Sequence, residues 1–123
     1  MVYKPEGYTS VAPYLIVADA KATMDFLEVA LSAERLRVFH RDDGSVMHAE
    51  VRVDDTVVMM GEMPQAQPAN VHVYVADVDA AFARAIEAGG TVVEAPQDKG
   101  DGDRRGGVSD PNGITWWLST QLD

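Results

Sequence analysis

His48, Glu50 and Arg52 stand two residues apart in Val46–Val53, a segment whose valine-rich alternation reads as a β-strand. Side chains two apart on a strand point the same way. An imidazole, a carboxylate and a guanidinium therefore share one face, and Met47, Ala49, Val51 and Val53 share the other. Glu50 is a candidate general base, its pKa raised where Tyr14 and Trp117 wall it from water. The competing reading pairs it with Arg52 or Arg104. His48 and Glu50, joined by His72, are donors of the kind that hold Zn²⁺ or Fe²⁺. The alternative makes them hydrogen-bonding pocket residues or, with Arg52, an ion-paired surface stripe. Tyr14 and Tyr74 each bring a ring and a hydroxyl that can orient a ligand or simply fill space.

The elements that position these groups repeat. Displacing the chain by 58 residues lays Val17-Ala18-Asp19 on Val75-Ala76-Asp77, Ala22 on Ala80, Ala30 on Ala88, Asp43-Gly44 on Asp101-Gly102 and Asp54-Asp55 on Asn112-Gly113. No gap is needed, so the sequence reads as two copies of one supersecondary unit. In the first copy, Ala12–Val17 is a strand and Asp19 caps a helix over 20–31. Glu34–His40 is a second strand, Arg41–Gly44 a turn, Val46–Val53 a third strand and Thr56–Met60 a fourth. In the second, Asn70–Val75 is a strand, Asp77 caps a helix that ends at Gly89-Gly90, and Thr91–Ala95 is a strand. Pro96–Arg105 reads as a loop replacing most of the hairpin, Asp110–Gly113 as a turn and Ile114–Ser119 as the last strand. The organisation is one domain over 1–123, with modules at 8–61 and 70–121 and a linker at 62–69.

Each unit must bury one sheet face under its helix. Alternation then assigns Tyr14, His48, Glu50, Arg52, Asn70, His72, Tyr74 and Trp117 to the opposite face. Aromatic walls with a few convergent polar groups describe a small-molecule pocket. Trp116 and Trp117 alternate, one in the core and one in the pocket. Met47, Met59 and Met60 read as packing, His40 as solvent-exposed, and Gly106-Gly107 as a bulge or close crossing.

Composition removes other classes. The net charge of −10 argues against a phosphate-backbone partner, so no nucleic acid is expected. The absence of cysteine excludes disulfides, thiolate nucleophiles and Cys-type metal sites. No apolar run reaches membrane-spanning length and no leader pattern precedes residue 12, so the expectation is a cytoplasmic protein without a membrane partner. Gly100–Gly107 lacks the strand and helix context of a phosphate loop.

Several segments carry a family resemblance: Pro5–Tyr8, Ala12–Asp19, Met47–Glu50, Val75–Asp79, and Gly102–Gly113 with Trp116-Trp117. Taken in order, they resemble the vicinal-oxygen-chelate superfamily of glyoxalases, bleomycin-resistance proteins, fosfomycin-resistance enzymes and extradiol dioxygenases, and within it the PhnB-like proteins. The resemblance implies an α+β glyoxalase-like fold of two tandem βαβββ modules with curved mixed sheets, and a homodimer. It places the family's metal-ligand positions at Ala12, Met59, Asn70 and Trp117. Ala, Met and Trp are not ligands for such an ion and Asn is a weak one. The expectation is therefore no cofactor and no metal at those positions, with Zn, Ni, Fe or Mn left to the His48/Glu50 alternative. The leading function is binding of a small organic ligand, in the specific form of sequestering a toxic or antibiotic compound. The alternatives are a lyase, isomerase or proton-transfer enzyme using Glu50 with His48 or His72, and an interaction module with a packed barrel.

Overall fold

The computed structural model describes residues 2–123. The chain runs β1 (Tyr14–Val17), α1 (Ala20–Leu31), β2 (Glu34–His40), β3 (Val46–Val53), β4 (Thr56–Glu62), β5 (Ala69–Tyr74), α2 (Val78–Glu87), β6 (Thr91–Asp98), β7 (Asp103–Ser109) and β8 (Ile114–Gln121). Both halves are βαβββ, giving an α+β fold with two four-stranded sheets ordered β1-β4-β3-β2 and β5-β8-β7-β6. The first strand of each half lies parallel to the last, and the other neighbours are antiparallel. Each helix starts where the sequence places it. Asp19 and Asp77 sit in extended backbone and accept from the amides of Ala22 and Ala80, each at 3.1 Å, a cap worth about 1 kcal/mol.

The two helices pack on each other, α1 also on β3 and β4, α2 on β6, β7 and β8. Leu15, Val17, Phe26, Leu27, Val51, Met60, Val108, Ile114, Trp116 and Leu118 join one buried cluster spanning both halves. The core thus occupies the helix layer, and each sheet's opposite face looks away from it. Gly90 marks the tightest crossing: a Cβ there would lie 2.3 Å from Val108 Cγ1 and 2.8 Å from the Ala85 carbonyl oxygen.

Three expectations need correction. Pro96–Arg105 is not a replacement loop, because β6 and β7 form a full hairpin. Pro96 is tolerated because β6 is an edge strand and its register shifts between Glu94 and Gln97. The repeat also carries a gap. Val53 pairs with Thr56 across the two residues Asp54 and Asp55, whereas the Asp110 amide donates to the Ile114 carbonyl at 2.9 Å across Pro111–Gly113. One extra residue in the second turn moves β7 by one relative to β3. The partner of Met59 is Glu50, and the partner of Trp117 is Gly107. The true offset there is 57, and because strand parity has a period of two, the shift reverses which side chains face the core. Met47 departs similarly. It is bulged between Phe39↔His48 and His40↔Val46 and is exposed rather than packed on the helix side.

Candidate functional site

The outer face of the first sheet holds Tyr14 on β1, Met59 on β4 and Glu50 on β3 in one cross-strand row. Glu50 is only 3% exposed. Its Oε1 accepts from the Tyr8 phenol at 2.5 Å, and its Oε2 lies 2.8 Å from His48 Nε2. The His48 ring sits between Tyr14 and Phe39, with centroids 5.6 and 6.3 Å away. Tyr14 and Phe39 are 50% and 48% exposed, so the aromatic walls stand open to solvent. Arg52 Nη2 donates to the Gly7 carbonyl at 3.2 Å and Nη1 lies 3.6 Å from Glu34. The Arg37 guanidinium stands 5.2 Å from the Tyr8 ring centre.

Burial pushes the Glu50 carboxyl up, but the Tyr8 and His48 hydrogen bonds and the charges of His48 and Arg37 outweigh it and hold the group below its ordinary value. The expected upward shift between Tyr14 and Trp117 does not occur, since Trp117 belongs to the other sheet. Nor is the carboxylate's partner Arg52 or Arg104. Arg104 faces α2 and binds Asp79 and Asp98. The partners are Tyr8 and His48. Tyr8 precedes the first strand, where no periodicity marks its direction. Its phenol proton is held by Glu50, which raises its pKa above the ordinary value.

The outer face of the second sheet collects Asn70, His72, Tyr74 and Trp117, joined by Ser119, Arg105 and Asp103. The Tyr74 hydroxyl donates to Asp103 Oδ2 at 2.8 Å, and Arg105 Nε donates to Ser119 Oγ at 2.9 Å. Ser119 Oγ is 2.9 Å from His72 Nε2. The Trp117 ring lies on Gly107, where a Cβ would come within 2.6 Å of it, and its indole N–H donates to Asn70 Oδ1 at 3.0 Å. Asp103 and Arg105 are missed by sequence because Pro96–Arg105 reads as a loop, whereas Ser119, two residues from Trp117 on β8, shares its face by parity. A cleft of about 330 Å³ lined by Pro13, Val58, Val71, His72, Tyr74 and Trp116 runs along β5.

The expected single constellation is therefore two. Tyr14, His48, Glu50 and Arg52 lie on one sheet, and Asn70, His72, Tyr74 and Trp117 on the other. Among the described residues, no hydrogen bond or ring contact found in the structure joins the two groups, and His72 does not reach His48 or Glu50.

A match to the Glyoxalase/Bleomycin resistance protein/Dioxygenase superfamily spans residues 8–118. This chain belongs to that superfamily. An uncharacterized superfamily relative from Mycobacterium bovis is 37% identical across 89% of this chain and 81% of its own length. Among solved structures, TioX from Micromonospora sp. ML1 superposes with a TM-score of 0.78 at 25% identity, covering 93% of this chain and 99% of TioX. The fosfomycin resistance protein FosX of Listeria monocytogenes, solved with Mn(II), shares the fold with a TM-score of 0.71 at 19% identity, covering 89% of this chain and 86% of FosX. The side chains at the four positions that the resemblance assigns to metal ligands are poor donors for a divalent ion. Ala12 has no donor, Met59 is a thioether between Tyr14 and Glu50, and Trp117 gives its N–H to the amide oxygen of Asn70. Among the described residues, no three His, Asp or Glu side chains are grouped to hold a metal. None of the helices described is long and apolar enough to cross a membrane.

Proposed function

We propose that this protein binds a small organic molecule on the outer face of the first sheet, without a metal. In its specific form it sequesters a toxic or antibiotic compound in the cytoplasm, as a PhnB-like homodimer. The observation that carries the reading is Glu50, a carboxylate buried on a face that the core does not use, beneath half-exposed Tyr14 and Phe39. A buried charge costs stability unless it is paired, and open aromatic walls over a fixed polar group are how ligand sites are built. The homodimer is supported by the terminal positions of β1 and β5, strands that pair with another strand on one side only. Joining such edges between copies would set the Glu50 face of one chain against the His72 face of the other. Velocity sedimentation tests this, and a monomer at micromolar concentration refutes it.

A second reading, proton transfer by Glu50 with His48, is favoured by their 2.8 Å contact. It is opposed by a carboxylate held low with both oxygens engaged. Calorimetric titration with a panel of aromatic antibiotics, followed by mass spectrometry of the recovered compound, separates the readings. Binding of one unchanged molecule per site supports sequestration, conversion supports the enzyme, and no binding by any compound overturns both.

A further inference from the structure

The first-sheet face already holds an occupant from its own chain. The N-terminal segment turns back at Gly7, whose φ is +81°, and the Tyr8 amide donates to the Pro5 carbonyl at 3.2 Å. This places three chemical functions on the face. The phenol donates to Glu50, the ring lies against Arg37, and the Gly7 carbonyl accepts from Arg52. Among the described residues, none before Leu15 joins the hydrophobic core. The strap is thus held by polar and cation–π contacts, the kind a ligand can replace one for one. Arg37 makes no ion pair among the described residues; the Tyr8 ring is its near contact, and the Glu50 carboxylate feels its charge from further off.

We propose that Gly7-Tyr8 is a built-in surrogate for the ligand, and that the ligand is a hydroxyaryl compound carrying a carbonyl acceptor, which displaces the strap. This rests on the binding reading above and names the chemical class. Each function is required by the group it meets. An ionised carboxylate needs an O–H or N–H donor. A guanidinium with no carboxylate in ion-pair contact takes a ring face. A second guanidinium takes an oxygen acceptor. Because strap and ligand compete, apparent affinity is reduced by the fraction of molecules in which the strap is seated.

The test uses N-acetyl-L-tyrosinamide, which carries the phenol and the preceding carbonyl, against N-acetyl-L-phenylalaninamide, which lacks the hydroxyl. Calorimetry on the full chain compares wild type, Tyr8→Ala and Tyr8→Ala/Glu50→Gln. A hydrogen bond to a charged group is worth about tenfold or more. Tyr8→Ala should therefore bind the tyrosine probe at least tenfold more tightly than wild type and at least tenfold more tightly than the phenylalanine probe, and adding Glu50→Gln should remove that preference. Tyr8→Phe, which keeps the ring and loses only the hydroxyl, provides a second variant and should also gain affinity. Equal affinity in wild type and both Tyr8 variants, or no preference between probes, overturns the proposal. If that happens while wild type still binds a compound from the antibiotic panel, only the surrogate inference falls. If nothing binds in either experiment, the binding reading falls with it.

Discussion

Asn112 and Asp19 stand 93 positions apart in the chain, yet the Asn112 amide nitrogen donates to the Asp19 carbonyl at 2.7 Å. Its oxygen accepts from the amides of Ala18 and Asp19, both at 3.1 Å, and its nitrogen also donates to Thr23 Oγ1 at 2.7 Å. The last turn of the second half thereby holds the first turn of α1 in the first half. Asp110 braces that turn from within. Its Oδ1 accepts from Asn112 and Ile114, and its Oδ2 from the Trp116 indole.

Asn112→Ala removes all of these Asn112 side-chain bonds. At about 1 kcal/mol per bond, discounted for solvent replacement at the exposed ones, the expected loss is about 2–3 kcal/mol, read as a lower urea midpoint with unchanged m. Asn112→Asp keeps the acceptor and loses the donor, and should fall between.

The pH dependence of Glu50 has a definite sign. Its folded pKa lies below the ordinary value of 4.5. Its ionisation therefore contributes stability above that value, and the contribution is lost as pH falls through the lowered folded pKa. In urea unfolding from pH 3 to 7, the gap between wild type and Glu50→Gln should be largest at pH 6–7 and should narrow below pH 4.5. A gap independent of pH would contradict the pairing with Tyr8 and His48.

Two glycines should resist enlargement for different reasons. At Gly90 the obstruction includes the Ala85 carbonyl, which belongs to backbone and cannot swing aside. Gly90→Ala should cost about 1–3 kcal/mol. At Gly107 the obstruction is the Trp117 ring. Gly107→Ala should move the indole off Asn70 and change its fluorescence, while costing less stability.

Adding Zn²⁺, Ni²⁺, Fe²⁺ or Mn²⁺ should leave the melting temperature within about 1 °C, since an ion without a site in the folded state does not stabilise it. A rise of several degrees, abolished by Glu50→Gln, would restore the metal alternative.

Much of the fold was legible because its signals are local. Asp19 and Asp77 announce the helices, and alternation sorts Leu15 from Tyr14 and Trp116 from Trp117. The unread parts depend on tertiary circumstance. β7 is hidden because Pro96–Arg105, with its proline, glycines and many charges, reads as a loop; Gly106 and Gly107 do mark a close crossing, against Pro96 and Trp117. Within the site, parity brought His48, Glu50 and Arg52 to one face. Parity could not say that β1 and β5 belong to separate sheets, which is what parts Tyr14 from His72. Tyr8 lies outside any periodic segment, so only its contact with Glu50 reveals it.

The additional residue in the Pro111–Gly113 turn carries an evolutionary consequence. Point substitutions would have to redecorate a duplicated strand one codon at a time. An inserted codon in this turn, together with a compensating deletion upstream of β7, exchanges the strand's two sides at once while β8 and the helices keep their alignment. The second copy thereby acquired Arg105 and Gly107 opposite Ser119 and Trp117, where the first presents His48 and Glu50. An ancestral gene doubled in this way needs only such a pair of frame-preserving events to give its two halves different chemical tastes.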